Sequence, residues 1–267
     1  MNKLRNRIFL YGAALTAGLS SMALYRYMTE TYIDDRGLLI SGNLPGVLLW
    51  VVGLGFLAVL VPMLHTLGGD GNYGVNFPRS LCSGILLIAA GVVLAGAAGG
   101  LGVSENTAGP ELSPALTVFF RTAGRYLPWL AAASMVVLGT VRMLGKRPFP
   151  LFSGIVCLFY MISLVSNYRL WSADPKLYAY AYQFLAGVMA MLCTFHRCCC
   201  DAGILQRKKL LATGLMAAVC AVAALGGSFQ RELYLSTALW VLGSMCTTET
   251  LPPDPEEETG EQPEAAE

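Results

Sequence analysis

No charged side chain and no histidine interrupts any of the eight apolar runs that make up most of this 267-residue chain. Charge is scarce throughout: 13% of residues are Asp, Glu, Lys or Arg, about half the share usual in a soluble domain. Hydrophobic residues make up 55%, and mean hydropathy is +0.56. A chain so composed lacks the polar surface to stay in water. The formal net charge of +1 comes without a basic stripe, so no nucleic-acid partner is expected.

Catalytic signatures are missing too. There is no Walker A glycine loop, no His-Glu-x-x-His, no Gly-x-Ser-x-Gly and no run of spaced aspartates. Many ion-coupled carriers need an intramembrane charge, and its absence argues against steep proton or sodium coupling. No cofactor is implied, and the balance leans away from an enzyme.

What is present fits a membrane. About 20 helical residues cross a ~30 Å hydrocarbon core. The runs 8–25, 45–64, 81–103, 126–141, 149–167, 177–195, 210–227 and 233–248 come close to that length, the fourth and eighth being short. The expected fold is therefore all-α: a polytopic membrane bundle of about eight transmembrane helices. The first run follows Lys3, Arg5 and Arg7 and reads as a retained span rather than a cleaved signal. The densest basic clusters, 142–147 and 197–209, would face the cytoplasm. Tyr168, Trp171, Tyr178, Tyr180 and Tyr182 would then sit at the outer interface. That orientation puts both termini inside a cell membrane.

The runs echo one another in order. Tyr25-Arg26 matches Tyr168-Arg169, and Ala97-Ala98-Gly99-Gly100 is paralleled by Ala224-Leu225-Gly226-Gly227. Val137-Leu138-Gly139-Thr140 is paralleled by Val241-Leu242-Gly243-Ser244. The pattern suggests a tandem four-plus-four parallel repeat, 1–145 and 146–248, with a pseudo-twofold axis along the membrane normal. Short matches of Gly, Ala, Val and Leu are also common to any set of membrane helices. Residues 249–267 carry eight carboxylates, four prolines and no Lys or Arg, and read as a disordered acidic cytoplasmic tail.

Few residues offer chemistry. The two histidines each precede an aspartate by five positions, His65 with Asp70 and His196 with Asp201, at the cytoplasmic ends of their spans. Brought together, they would form a polar site able to bind a transition metal or relay protons. Alternatively, each histidine caps a helix C-terminus. Asp34, Asp35 and Asp174 mark an outer vestibule for a cation or polar substrate, or simply a solvated loop. Cys198, Cys199 and Cys200, with Cys193 one turn earlier, splay about 100° apart per residue and do not converge on one ion. Close helix packing is expected at Gly91, Ala95 and Gly99, and at Gly96 and Gly100. Ser113-Pro114 starts a short interfacial helix leading into the fourth span.

The stretch Asp35-Arg36-Gly37-Leu38-Leu39 with Gly42 and Leu49-Trp50, and the stretch from Trp171 to Leu177, resemble certain uncharacterised bacterial multispan membrane proteins. The resemblance implies a multi-pass bacterial inner-membrane protein and carries no activity. Three functions compete: a permease-like protein without strong ion coupling, a non-catalytic scaffold, sensor or partner subunit, and a membrane enzyme using the His/Asp groups. Expected partners are the lipid bilayer and a membrane protein or second copy of the chain.

Overall fold

Away from water, an apolar run can satisfy its own amides only by closing them into a helix. The computed structural model describes residues 2–32, 40, 44–66, 77–99, 114–172, 180–227 and 230–245. Among these, all regular structure is helical: α1 (Asn2–Thr31), α2 (Leu44–Thr66), α3 (Leu81–Ala98), α4 (Pro114–Met143), α5 (Pro150–Ser172), α6 (Ala181–Ala202), α7 (Arg207–Ala224) and α8 (Arg231–Met245). Five of them, α2 to α6, are long and apolar enough to cross a membrane.

α1 and α4 outrun their apolar segments the most. α1 continues through a polar turn closed by the Arg26–Glu30 ion pair at 2.9 Å. α4 is one 30-residue helix from Pro114, with Pro128 inside it, so the expected interfacial helix and fourth span are continuous. Pro114 does open the element, where its missing N–H costs nothing. Between 114 and 126 Gly124 is the poorest helix former after Pro114 itself, too weak a break to end the helix.

α7 and α8 behave differently. They have 18 and 15 residues, and about two thirds of the residues on each are buried. α8 packs against α3, α6 and α7, while α7 packs against α1, α6 and α8. A helix wrapped by other helices needs neither a full bilayer length nor an apolar outer face. The remaining pairings link α3 to α4, α4 to α5 and α5 to α6, so that α3 to α8 close a circuit. α1 docks on α7 outside that circuit, and α2 packs on α1.

Hydroxyls stitch the bundle from within. Ser83 donates to the Gly243 carbonyl at 2.6 Å and Ser236 to the Ala90 carbonyl at 2.8 Å, holding α3 and α8 antiparallel. Tyr160 donates to Thr237 at 3.2 Å, joining α5 to α8. Each such bond gives roughly 0.6–2 kcal/mol in an apolar interior.

The pairings do not interchange when α1–α4 are exchanged for α5–α8. α3 packs on α8 and α1 on α7, but among the described residues α7 has no comparable pairing with α4, nor α5 with α3.

The α3–α4 seam depends on glycine. A Cβ on Gly139 would lie 2.7 Å from the Gly84 carbonyl oxygen, and one on Gly91 would lie 2.7 Å from the Ala132 carbonyl oxygen. Of the glycines expected to pack, Gly91 does, whereas Gly96 and Gly99 face open space. The working spacing is seven residues, Gly84 to Gly91, because two antiparallel helices meet again after two turns. Gly139→Leu should therefore cost about 1–3 kcal/mol or more, since backbone must move. Gly96→Leu should be near neutral, and unfolding titrations of the two variants in detergent check the contrast.

Candidate functional site

The helix ends nearest Met245 form a basic end. Gly145 and Gly203, at φ 71° and 103°, stop α4 and α6 there in left-handed turns that a side chain would strain. Three arginines that the sequence placed at the membrane boundary are instead buried: Arg142, Arg197 and Arg207 are 1–2% exposed. Arg142 does not reach outward to lengthen its span. Its guanidinium carbon lies 5.0 Å from the centre of the Phe77 ring, and that of Arg197 lies 4.9 Å from it. Two cations on one aromatic ring tie the ends of α4 and α6 to the residues leading into α3.

Asp201 joins this cluster. Its carboxylate accepts from Arg197 Nε at 3.1 Å, with both side chains buried. Its carbonyl accepts from Arg147 Nε at 3.1 Å. His196 is half-buried and pairs through Nδ1 with Gln206 Oε1 at 2.9 Å. Five residues turn a helix through about 140°, so the two groups look away from each other. Within α6, His196 and Asp201 thus have separate partners. His65 lies in the last turn of α2; its side chain and Asp70 fall outside the described residues, as do Asp34, Asp35 and Asp174. Among the described residues, no three His, Cys, Asp or Glu side chains gather to hold a metal.

The described cysteines are free thiols. Cys193 and Cys200 are buried, while the Cys198 thiol lies 3.5 Å from the Pro150 carbonyl and that of Cys157 lies 3.8 Å from the Met191 carbonyl. These contacts pack α5 on α6.

The larger feature lies toward the opposite end of the bundle. α1, α2, α6 and α7 enclose an apolar groove of ≈ 310 Å³, near the lower limit of small-molecule pockets. Ser21, Tyr25 and Met28 come from α1, Trp50, Gly53 and Leu57 from α2, Tyr182 and Leu185 from α6, and Met216 and Cys220 from α7. The groove exists because α2 leans on α1 and makes only slight contact with α7. Its flank is open, with Trp50 70% and Leu54 60% exposed.

The floor of the groove is held in place by polar groups. Tyr25, fully buried, donates to Gln183 Oε1 at 3.0 Å and stacks edge-on against Tyr182 at 5.0 Å between ring centres. Behind Gln183 lies a second cavity of ≈ 20 Å³, lined by Tyr160, Ser163, Asn167, Tyr234 and Thr237 among others. It has room for about one water. Of these two cavities, the larger is lined mainly by apolar side chains and the smaller has several polar side chains on its wall.

Comparison with known protein families, with curated proteins and with solved structures finds no match to the chain. The site must therefore be read from its own chemistry. Of the groove residues, the sequence singles out Tyr182 as an interface aromatic, Tyr25 in the Tyr25-Arg26 echo and Trp50 beside Leu49, none of them for a groove. The buried arginines offered one signal, the four-residue spacing of Arg197 and Asp201.

Proposed function

We propose that this chain is a multi-pass membrane protein that handles lipid, holding one acyl chain in the groove between α1, α2, α6 and α7. The supporting observation is that groove: apolar, ≈ 310 Å³ in volume and flanked by exposed apolar side chains. In this reading all eight helices cross the bilayer, with α7 and α8 shielded inside. The basic end faces the cytoplasm, in keeping with the excess of Lys and Arg there. The flank of the groove then opens onto the hydrocarbon of the outer half of the bilayer. A methylene buried there is stabilised by about 0.8 kcal/mol relative to water, but competes with bulk lipid, so selectivity must come from shape.

A permease for polar solutes fits less well, because the ≈ 310 Å³ groove is lined mainly by apolar side chains. A second reading, a non-catalytic partner subunit, is favoured by α2. It packs mainly on α1 and leaves Leu44, Val47, Val51 and Val61 more than half exposed. A partner seated on that face would co-purify in mild detergent.

Reconstitution with a phospholipid bearing a photoactivatable group in its acyl chain tests the lipid reading. Adducts are expected on Met216 and Cys220 of α7, an inner helix reached from the bilayer through the groove. Adducts confined to the outer faces of α2 to α5 would contradict it.

A further inference from the structure

Gln183 stands between two cavities. Toward α1 its Oε1 accepts from Tyr25, on the floor of the groove. It also lines the ≈ 20 Å³ cavity, together with Tyr160, Ser163, Asn167, Tyr234 and Thr237. Six hydrogen-bonding side chains from α5, α6 and α8 thus converge on one small space. It is too small for a lipid chain and large enough for one oxygen atom with its protons. Tyr160, Gln183, Tyr234 and Thr237 are only 1–3% exposed, while Ser163 and Asn167 are half-buried.

The bonds these groups make to one another do not use them up. Tyr160 donates to Thr237, and Thr237 donates to the Leu233 carbonyl, so the Tyr160 oxygen can still accept. Asn167 donates Nδ2 to Gln230 Oε1 at 3.5 Å, which leaves its Oδ1 as an acceptor. Gln183 uses Oε1 for Tyr25 and keeps the N–H bonds of Nε2. That amide is confined, because a Cβ on Gly227 would collide with Nε2. Among the described residues, the Tyr234 and Ser163 hydroxyls have no hydrogen-bond partner. Buried donors of this kind demand an acceptor, and the cavity wall holds acceptors in equal need of a donor.

We infer that this cavity binds one neutral O–H group, that of an ordered water or of a lipid hydroxyl. The guest accepts from Tyr234 and from Gln183 Nε2, and donates to Asn167 Oδ1 or the Tyr160 oxygen. All nine residues lining the cavity are uncharged, which suits a neutral guest better than an ion. By holding the Gln183 amide, the guest also steadies the Oε1 that fixes Tyr25. The site is thus a polar brace behind the groove, and it stands whether or not the groove holds an acyl chain.

A crystal structure of the full chain, grown from a lipid mesophase and refined at about 2 Å, tests this inference. One density peak is expected in the cavity, with at least three contacts of about 2.7–3.2 Å to these atoms. An isolated round peak identifies water, and a peak continuous with glycerol or acyl density identifies a lipid hydroxyl. Tyr234→Phe keeps the ring and removes one donor, and should lower the peak at least about two-fold. Ser163→Val sets apolar bulk against the cavity and should abolish it. No peak in the parent, or equal peaks in the parent and both variants, would overturn the inference. So would a peak with shorter contacts that disappears when sodium is replaced by choline, since the guest would then be a cation.

Discussion

Asp201→Ala is expected to lower stability by about 3–5 kcal/mol, the cost of stripping a buried cation of its counter-charge. Asp201 and Arg197 lie one turn apart on α6, with side chains 0% and 3% exposed, so water does not screen the pair. The aspartate also fixes Arg197 against Phe77, which Arg142 shares from α4. Losing it therefore loosens three segments together. The double variant Arg197→Met with Asp201→Leu should recover much of the loss, because a buried ion pair often does no better than apolar side chains of like volume. Denaturant titration of the three proteins in one detergent gives the comparison. A single variant that unfolds like the parent would mean the pair is already hydrated.

Trp240→Ala should cost a similar amount, about 3–5 kcal/mol, for a different reason. Trp240 is 1% exposed at the centre of α8, and its indole N–H donates to Thr194 Oγ1 of α6 at 2.9 Å. Thr194 in turn donates to the Ala190 carbonyl at 2.7 Å. Truncation opens a cavity at the contact of the innermost helix and removes the bond that fixes its rotation. Trp240→Phe keeps most of the volume and loses the bond, so its cost should be near the ~0.6–2 kcal/mol of one interhelical hydrogen bond. Thermal unfolding of both variants should rank them in that order.

The helices were legible in the sequence because a charge-free run marks an element directly, and each of the eight runs overlaps one helix. Their ends were less legible. Apolarity reports where water stops, whereas the helix goes on through Arg26 and Glu30 in α1 and through Arg121 and Arg125 in α4. The inner position of α7 and α8 was hidden for a related reason. Their runs look like the others, and only packing reveals that Ser236, Thr237 and Ser244 point into protein.

The site was harder still. The matching histidine and aspartate spacings drew the eye, but five residues on a helix separate faces, while four bring Arg197 and Asp201 together. The groove has no local pattern at all. Tyr25, Gly53, Tyr182 and Cys220 come from four helices spread over most of the chain, and nothing in one helix announces its partners.

Gly53 offers the most direct measurement of the lipid-binding account. It lines the groove, and a Cβ placed there meets nothing within 4 Å, so Gly53→Phe brings bulk to the groove wall from a position with no clash at Cβ. Native mass spectrometry of parent and variant, released from the same phospholipid nanodiscs, counts the lipid each retains. The account predicts one tightly held phospholipid on the parent and several-fold less on Gly53→Phe, with unfolding midpoints unchanged. Equal retention by the two proteins would contradict it.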